Sequence, residues 1–280
     1  MARSEKPAVI ERIFNELWDE HAQKLTRSVV TSEDVIRAIA HFKEKNESKL
    51  SVKNPANFIK DVIRSKGASR MWPESLKERR ITAKQVTGDG NVFEFVQYQE
   101  NQTEPFPERF GYHEGVWKHQ IQSISMPQAS KALGRDDETY LIQVAVKLAV
   151  VETHFALQSP IDVVELTHLQ VGIKLRRCEV DSLFSAIYKD IHGTHHEMII
   201  TAEAKNKSQR ILEEQIMEQV RAAFKATKVN LVVPIAMTAA AKGIYLAEFK
   251  GVKRSELDQF TALDLEREAL YELCPAVKGI

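Results

Sequence analysis

Cysteine and long apolar segments are both scarce in this chain. It has two cysteines, Cys178 and Cys274, in 280 residues, which excludes a framework of several disulfides and favours a reducing, cytoplasmic setting. No segment approaches the run of about 18 apolar residues that a membrane-spanning helix needs. The first residues turn charged at once, unlike a secretory signal. We therefore expect no membrane partner.

An excess of charge of one sign is also lacking. Lys and Arg together number 39, as do Asp and Glu, so the formal net charge is zero. Any surface that binds nucleic acid must therefore arise from an uneven distribution of charge along the chain. With 43% hydrophobic and 28% charged residues, the composition is typical of a soluble globular protein. The length suggests one large or two moderate domains.

Several motifs of enzyme chemistry are absent from the sequence as well. It has no glycine-rich phosphate loop, no dinucleotide fingerprint and no Gly-X-Ser-X-Gly segment, so no organic cofactor and no serine nucleophile are expected. His192, His195 and His196 are close together, but no second pair of Cys or His residues has zinc spacing. A polar loop tip is the simpler interpretation of these histidines.

The first quarter of the chain has the pattern of three helices. Apolar residues recur at helical spacing over residues 7–25 and again over about 31–45, where Thr31 and Asp34 form a helix-start signature. An Asn-Pro pair, suited to the N-cap and the first helical position, opens a third predicted helix over 54–64.

A predicted β-hairpin follows over residues 81–98. Apolar and polar residues alternate on both sides of a Gly-Asp-Gly-Asn turn, which is a strong hairpin pattern. Three helices followed by a hairpin resemble a winged helix. That resemblance implies a third helix in the major groove of DNA and a hairpin that touches the DNA backbone.

Basic residues concentrate where the winged-helix resemblance places DNA. Residues 43–84 contain 12 Lys or Arg and 5 Asp or Glu, whereas residues 85–115 contain 1 and 6. Neutralisation of phosphates by basic residues supplies most of the non-specific affinity for DNA. The predicted DNA-binding residues are Lys53, Asn54, Asn57, Lys60, Arg64 and Lys84.

Prolines and glycines interrupt residues 99–128, which we interpret as a packed connector. A boundary near residue 115 then separates a helical, winged-helix-like DNA-binding domain (1–115) from a catalytic domain (116–280). The second domain is predicted to hold a mixed five-stranded sheet flanked by helices, so the chain is of the α/β (α+β) class.

The predicted elements of the second domain are a helix over 136–156, strands over 164–177, 179–188 and 197–205, a helix over 208–227 with Ser208 as N-cap, and strands over 229–237 and 243–249.

Three polar residues stand at one end of two adjacent predicted strands. Asp181 lies near the start of one strand, and Glu203 and Lys205 end the next. Residues two apart on a strand share a face, so Glu203 and Lys205 project together, and antiparallel pairing brings Asp181 beside them. Two carboxylates and an ammonium can hold a divalent metal and a water molecule beside a phosphate. Asp162 is the competing position for the aspartate and ranks second.

The pattern of Asp181 followed by Glu203-X-Lys205, set between two helices, resembles the PD-(D/E)XK nuclease superfamily across about residues 136–250. With a winged helix upstream, the chain resembles a type II restriction endonuclease. Val180 stands where the family pattern has proline. The resemblance implies Mg²⁺ as cofactor, held by the oxygens of Asp181 and Glu203. It also implies that Lys205 orients or helps to deprotonate the attacking water.

The resemblance adds further expectations. A carboxylate from the helix before the sheet, Glu152, is expected as a fourth catalytic residue, and Gln219 and Gln215 are weaker candidates for contact with the site or with DNA. Hydrolysis of double-stranded DNA is expected to leave 5′-phosphate and 3′-hydroxyl ends, and cutting both strands with one site per chain implies a homodimer or transient pairing. Two alternatives stay open: a modification-dependent or repair nuclease on the same fold, and a non-catalytic DNA-binding regulator with a dimerisation scaffold.

Overall fold

The structure, a computed structural model, describes most of the chain: residues 5–86, 88–175 and 178–280. Thr87 of the predicted hairpin, and Arg176 and Arg177 of the predicted strand over 164–177, lie outside the described residues. The described chain is of the mixed α/β class, with a large mixed sheet.

The chain divides into two compact units, residues 1–108 and residues 109–280. The predicted domain boundary at residues 115–116 therefore falls inside the second unit. Each unit has its own set of buried apolar residues.

The first unit combines short helices with a small antiparallel sheet in the strand order β3-β5-β4, apart from which β1 pairs with β2. Its elements are α1 (Lys6–Leu17), β1 (Trp18–Asp19), β2 (Lys24–Leu25), β3 (Val29–Thr31), α2 (Ser32–Glu44), α3 (Lys60–Arg64), α4 (Glu74–Glu78), β4 (Ile81–Gln85) and β5 (Asn91–Gln97), with 3₁₀ turns at Pro55–Asn57 and Ala68–Met71. The buried core draws on α1, α2 and the sheet: Ile10, Ile13, Phe14, Val35, Ile39, Phe93 and Phe95.

Helix α2 begins with the predicted capping signature, which is confirmed. The N–H of Asp34 donates to Thr31 Oγ1 (3.4 Å), and the N–H of Thr31 donates to the Asp34 carboxylate (2.8 Å). Arg27 and Arg37 bind the same carboxylate at 2.6 and 2.8 Å. Burial opposes ionisation of Asp34, but the hydrogen bonds, that of Arg27 foremost, hold its pKa well below its ordinary range.

Two predicted helices of this unit are longer than the observed ones. The first ends at Leu17, where the chain enters β1, so its predicted extension to residue 25 is wrong. The third is divided into a 3₁₀ turn at Pro55–Asn57 and the short α3, and the side chain of Asn54 makes no cap hydrogen bond. Its predicted apolar stripe is buried nonetheless: Phe58, Ile59, Val62 and Ile63.

The predicted hairpin is confirmed for its described residues. Strands β4 and β5 pair antiparallel from Ile81↔Gln97 to Gln85↔Phe93. Gly88 and Gly90 have φ of +99° and +76° in the intervening turn, a backbone region that glycine occupies without steric cost.

The second unit is built around an eight-stranded mixed sheet in the order β6-β13-β11-β10-β9-β8-β7, with β12 paired to β10. Its elements are β6 (Trp117–Gln122), α5 (Gln128–Ala132), α6 (Glu138–Lys147), α7 (Val150–Leu157), β7 (Asp162–Leu175), β8 (Cys178–Lys189), β9 (His195–Lys205), α8 (Glu213–Ala226), β10 (Leu231–Ala240), β11 (Gly243–Phe249), β12 (Val252–Lys253) and β13 (Leu265–Cys274), with a 3₁₀ turn at Arg254–Gln259. The β9–β10 and β13–β6 pairs are parallel, and the other pairs are antiparallel.

The predicted succession of helix, three strands, helix and two strands is present from α6 to β11, but the predicted count of five strands is wrong. Strand β6 forms inside the predicted connector, and β12 and β13 follow β11. Helix α8 begins at Glu213 with Leu212 at the N-cap, so Ser208 does not cap it.

The single helix predicted over 136–156 is two helices, α6 and α7, bent by 60° about a break at which Ala149 has φ of +51°. No helix within the described residues is by itself long and apolar enough to cross a membrane, and only α6 and α7 taken together reach the required length and apolarity.

Helices cover both faces of the large sheet. Ile200 and Ala202 of β9 belong to the core that α6 and α7 complete on one face, whereas Ile199 belongs to the core beneath α8 on the other. Because side chains alternate along a strand, Glu203 and Lys205 share the α8 face with Ile199. The fold therefore places the predicted motif between β9 and α8.

Strand β7 forms one edge of the large sheet over 14 residues. Its pairing with β8 shifts register between Val163 and Glu165 and again between His168 and Gln170. Gly172 has φ of +64°, outside the region of an extended strand. The edge strand is therefore irregular at three points.

Candidate active site

The central strands β8 and β9 separate from each other at one end of the sheet. They pair from Lys189↔His195 to Ser182↔Ala202 and no further. Beyond that point β8 continues along β7, and β9 continues along β10 as far as the pair of Lys205 with Thr238. The separation leaves backbone N–H and C=O groups that the ladder does not pair, and these need other partners.

Asp181 lies at the start of this strand separation. Its carboxylate Oδ2 accepts a hydrogen bond of 2.9 Å from the backbone N–H of Ala204, the residue between Glu203 and Lys205. A side chain thus replaces the missing ladder partner of Ala204. The same contact fixes one carboxylate oxygen of Asp181 beside the Glu203-X-Lys205 segment.

Glu203 and Lys205 form a buried ion pair on the α8 face of β9. The Glu203 side chain has no exposed surface and that of Lys205 is 4% exposed, and Lys205 Nζ donates to Glu203 Oε1. A buried ion pair is costly unless its remaining hydrogen-bonding groups are satisfied. The partners that satisfy them come from helix α8.

Two glutamines of α8 complete the cluster. Gln219 Nε2 donates to Glu203 Oε2 and, at 3.2 Å, to the backbone carbonyl of Glu179 on β8. Gln215 Oε1 accepts from Lys205 Nζ at 3.1 Å. In the sequence both glutamines are only weak candidates, although two polar residues four apart on an otherwise apolar helix face are a pattern that marks them.

Burial changes the ionisation of the cluster. It raises the pKa of Glu203 to about 7; the ammonium of Lys205 opposes the rise, and the charge of Asp181 adds to it. Burial, followed by the carboxylates around it, raises the pKa of the Cys178 thiol to about 11. The thiol therefore stays protonated near neutral pH, which makes Cys178 a poor nucleophile.

The residues at the strand separation suit a hard divalent cation. Among the residues that the structure describes, no group of three or more His, Cys, Asp or Glu side chains is arranged to hold a metal ion. Mg²⁺ keeps several waters and needs only one or two carboxylates, which Asp181 and Glu203 provide. Gln219 Oε1, on the helix above the cluster, is buried without a hydrogen-bond partner. The donor set fits Mg²⁺, provided that Glu203 exchanges some of its present contacts for the cation.

Glu152, the fourth predicted catalytic residue, does not join this cluster. It lies on α7, whose apolar residues belong to the core on the opposite face of the sheet from α8. Its Oε2 is buried without a partner, and burial raises its pKa. Over the described ranges, no hydrogen bond or ion pair joins Glu152 to Asp181, Glu203 or Lys205.

The second-ranked aspartate is remote from the cluster. Asp162 pairs with Lys189 at the far end of β8, roughly 26 Å from Asp181 at about 3.3 Å per residue. The histidine cluster is at that end too, where His196 bonds Asp190 at 2.9 Å. Neither group can reach Glu203.

The predicted DNA-binding residues all lie in the first unit. Lys53 and Asn54 directly precede the 3₁₀ turn and Asn57 is its last residue; all three are exposed. Lys60 and Arg64 begin and end α3 and are partly buried. The side chains of Lys53, Asn54, Asn57 and Lys60 make no hydrogen bond or ion pair with another described residue. Lys84 differs, because it forms a 2.9 Å ion pair with Glu94 on the neighbouring strand.

Three of the four predicted catalytic residues therefore meet at one place, the separation of β8 and β9, and two glutamines of α8 join them. In comparisons with known proteins, no protein-family model, no curated protein and no solved structure matches this chain.

Proposed function

We propose that this protein is a Mg²⁺-dependent endonuclease of the type II restriction class, which hydrolyses phosphodiester bonds of double-stranded DNA. The observation that carries the proposal is the meeting of Asp181, Glu203 and Lys205 where β8 and β9 separate. A buried ammonium beside two carboxylates, at the open end of a strand pair, combines metal ligands with a group that can act on a water molecule.

The residues have separate roles in this proposal. Asp181 and Glu203 present oxygens to the cation, which when bound supplies positive charge to the phosphate and acidifies a water molecule. Lys205 keeps that water oriented and offsets the negative charge that develops on the phosphate oxygens. Its burial favours both roles, because charge interactions strengthen where water is excluded.

The arrangement around the motif supports a restriction-endonuclease-like core. The antiparallel strands β7, β8 and β9 are followed by α8 and by β10, which returns parallel to β9. Helices α6 and α7 cover one face, and α8 covers the other. This is the element order that the resemblance to the PD-(D/E)XK superfamily implies, with three additional strands.

The first unit supports a winged-helix-like DNA reader. Helices α1, α2, α3 and the short α4 precede the hairpin β4–β5, and β3, which lies between α1 and α2, joins the hairpin in the order β3-β5-β4. Lys53, Asn54, Asn57 and Lys60 offer side chains without protein partners in the described structure. We assign them to DNA contact, and Lys84 to a lesser role because Glu94 offsets its charge.

The reaction chemistry sets the remaining features. Attack by water on phosphorus with departure of the 3′ oxygen leaves 5′-phosphate and 3′-hydroxyl ends. A chain with one such site cuts one strand at a time, so cutting both strands calls for a homodimer or for transient pairing.

Plasmid digestion tests the proposal. With Mg²⁺, the wild type should cut supercoiled plasmid at defined positions, and sequencing of the ends should show 5′-phosphates. Asp181→Ala and Lys205→Ala should lower the rate by about 100-fold or more and leave DNA binding intact. Asp162→Ala, which changes an exposed aspartate at the far end of β8, is the matched control and should cut normally.

The possible failures lead to different conclusions. If either site variant cuts at the wild-type rate, the site assignment is wrong. If the wild type neither nicks nor cuts plasmid with Mg²⁺ or Mn²⁺, the DNA-binding regulator replaces the nuclease. Cleavage of methylated but not of unmethylated plasmid would favour the modification-dependent nuclease.

A further inference from the structure

Where β8 and β9 separate, each strand has a backbone group without a partner in the β8–β9 ladder, and one side chain forms a hydrogen bond with each of these two groups. On the β9 side, the N–H of Ala204 donates to Asp181. On the β8 side, the carbonyl of Glu179 accepts from Gln219 Nε2 at 3.2 Å. Gln219 also donates to Glu203 on β9. One amide group from α8 therefore connects the two strands across the place where their own hydrogen bonds have ended.

The burial of Gln219 is not explained by packing. Its side chain is fully buried on α8 among Ile216, Val220 and Ala223, which are apolar and buried. An amide in such surroundings costs free energy unless it is hydrogen-bonded. Its Nε2 has two partners, but its Oε1 has none, so a methionine of similar length would fill the space without that cost.

The orientation of the Gln219 amide follows from its neighbour. Both oxygens of the Glu203 carboxylate accept hydrogen bonds, and in its ionised form the group can do nothing else, so it takes the N–H side of the amide and not the oxygen side. The amide thereby holds Glu203 Oε2 while Lys205 holds Oε1. Glu203 has its position fixed from two directions.

Gln215 acts in the same way on Lys205. An ammonium has three N–H donors; one is directed to Glu203 and one to Gln215 Oε1. The third has no partner among the residues that the structure describes. The two contacts therefore fix the ammonium and leave one donor for a water molecule or a phosphate oxygen.

We propose that Gln219 and Gln215 are positioning residues: Gln219 holds Glu203 and the backbone of β8 at the strand separation, and Gln215 directs the ammonium of Lys205. The catalytic consequence rests on the proposed nuclease function. The geometric role does not, because it concerns the readiness of Glu203 to bind a divalent cation.

Binding of Mn²⁺ to the full chain without DNA tests the geometric role, by titration calorimetry. Gln219→Met should weaken Mn²⁺ binding by about 10- to 100-fold, the usual effect of removing a group that orients a metal ligand. Gln215→Met, which leaves both carboxylates in place, should change it by less than about threefold. Glu214→Met, an exposed neighbour on the same helix, is the matched control and should bind Mn²⁺ like the wild type.

Cleavage kinetics on the same proteins test the catalytic consequence. Gln215→Met should lower kcat by about tenfold or more with KM for DNA unchanged, whereas a merely structural loss would change the melting temperature and both constants. Gln219→Asn, which keeps the amide but is one methylene too short to span both strands, replaces Gln219→Met if that variant fails to fold, and the same loss of Mn²⁺ affinity is expected.

The outcomes separate this inference from the proposed function. If Gln219→Met binds Mn²⁺ as tightly as Glu214→Met, or if the wild type binds no Mn²⁺, the role of Gln219 is refuted. If Gln215→Met cuts DNA at the wild-type kcat, the role of Gln215 is refuted. If the wild type binds Mn²⁺ with the expected loss in Gln219→Met but cuts no DNA, the positioning role of Gln219 stands and the nuclease function falls.

Discussion

Replacement of Lys205 by methionine removes the one cation that contacts the Glu203 carboxylate in the described structure. The carboxylate has no exposed surface, so it must then either stay charged in an apolar site or take up a proton. Breaking a buried pair by removing one partner costs about 3–5 kcal/mol when the other charge is retained. Protonation of Glu203 avoids much of that cost at low pH, so the stability of Lys205→Met should depend on pH.

The magnitude follows from the raised pKa of Glu203. In the wild type it is about 7, against an ordinary value of 4.5, and without Lys205 it must lie above 7. When folding raises the pKa of a carboxyl, its contribution to the free energy of unfolding is greatest below the unfolded-state pKa. That contribution is lost as the pH rises through the folded-state pKa. Above pH 7 the wild type has completed this loss. The variant should continue to lose about 1.4 kcal/mol per pH unit relative to the wild type.

Urea unfolding at pH 7, 8 and 9 measures the difference. The gap in free energy of unfolding between wild type and Lys205→Met should widen over these two pH units, by up to roughly 2–3 kcal/mol when the pKa of Glu203 in the variant lies at about 9 or above. Other groups titrate alike in both proteins and cancel in the difference. A double variant with Glu203→Gln and Lys205→Met has no titrating group in the pair, so its gap to the wild type should change only by the small remainder of the Glu203 titration in the wild type, and hardly at all between pH 8 and 9.

A gap of constant size in the single variant would refute the reasoning. It would mean that Glu203 does not hold a proton in the folded state when Lys205 is absent, and hence that the carboxylate is hydrated. The buried pair, and the exclusion of water on which the role of Lys205 depends, would both have to be abandoned.

Two further predictions concern the residues outside this pair. Lys53→Gln together with Lys60→Gln should weaken DNA binding and reduce the magnitude of the slope of log Kobs against log salt concentration by about 2, since each lost phosphate contact removes about 0.9. Lys225→Gln, which changes an exposed lysine of α8, is the control. An unchanged slope in the double variant would show that Lys53 and Lys60 do not contact DNA. Glu152→Gln should cut DNA at a rate within about threefold of the wild type. At pH 8 it should unfold at the same or a higher urea concentration than the wild type. Burial raises the pKa of Glu152, so the wild type loses stability as pH rises above the unfolded-state pKa of this carboxyl, and the glutamine variant does not. A 100-fold loss of cleavage in Glu152→Gln would restore the predicted catalytic role.

The order of elements around the motif was predictable because local patterns are strong there. Apolar residues alternate or run continuously in β8 and β9, and Glu203 and Lys205 two residues apart on one strand must share a face. The capping pair of Thr31 and Asp34 is likewise a local pattern, and it is present. Such features depend on neighbours within a few residues, so the sequence alone is sufficient.

The missed strands depend on partners far along the chain. Strand β6 is short and mostly exposed, and it pairs parallel with β13, from Trp117↔Ala269 to Gln122↔Cys274. Its polar composition resembles a connector unless the distant partner is known. Edge strands of this kind acquire their conformation from pairing, which no local window contains.

The position of Glu152 relative to the motif was wrongly predicted for a different reason. The sequence shows a helix before the sheet, but the break at Ala149, which neither glycine nor proline marks, divides that helix into α6 and α7. A helix direction that changes by 60° changes the face that each of its residues presents. For Gln219, by contrast, the sequence pattern gives too little weight to a residue that joins the site, because its burial depends on the packing of α8 against β9.

The irregular edge strand β7 limits how two copies of this chain can associate. A straight edge offers an unbroken row of N–H and C=O groups onto which a second strand can add. The register shifts at Val163–Glu165 and His168–Gln170, and the positive φ of Gly172, interrupt that row three times in 14 residues. These interruptions disfavour the joining of two large sheets edge to edge through β7 into one continuous sheet. The homodimer of the proposed nuclease is therefore expected to form through helices, loops or the other edge of the sheet, and the irregular β7 disfavours open-ended assembly.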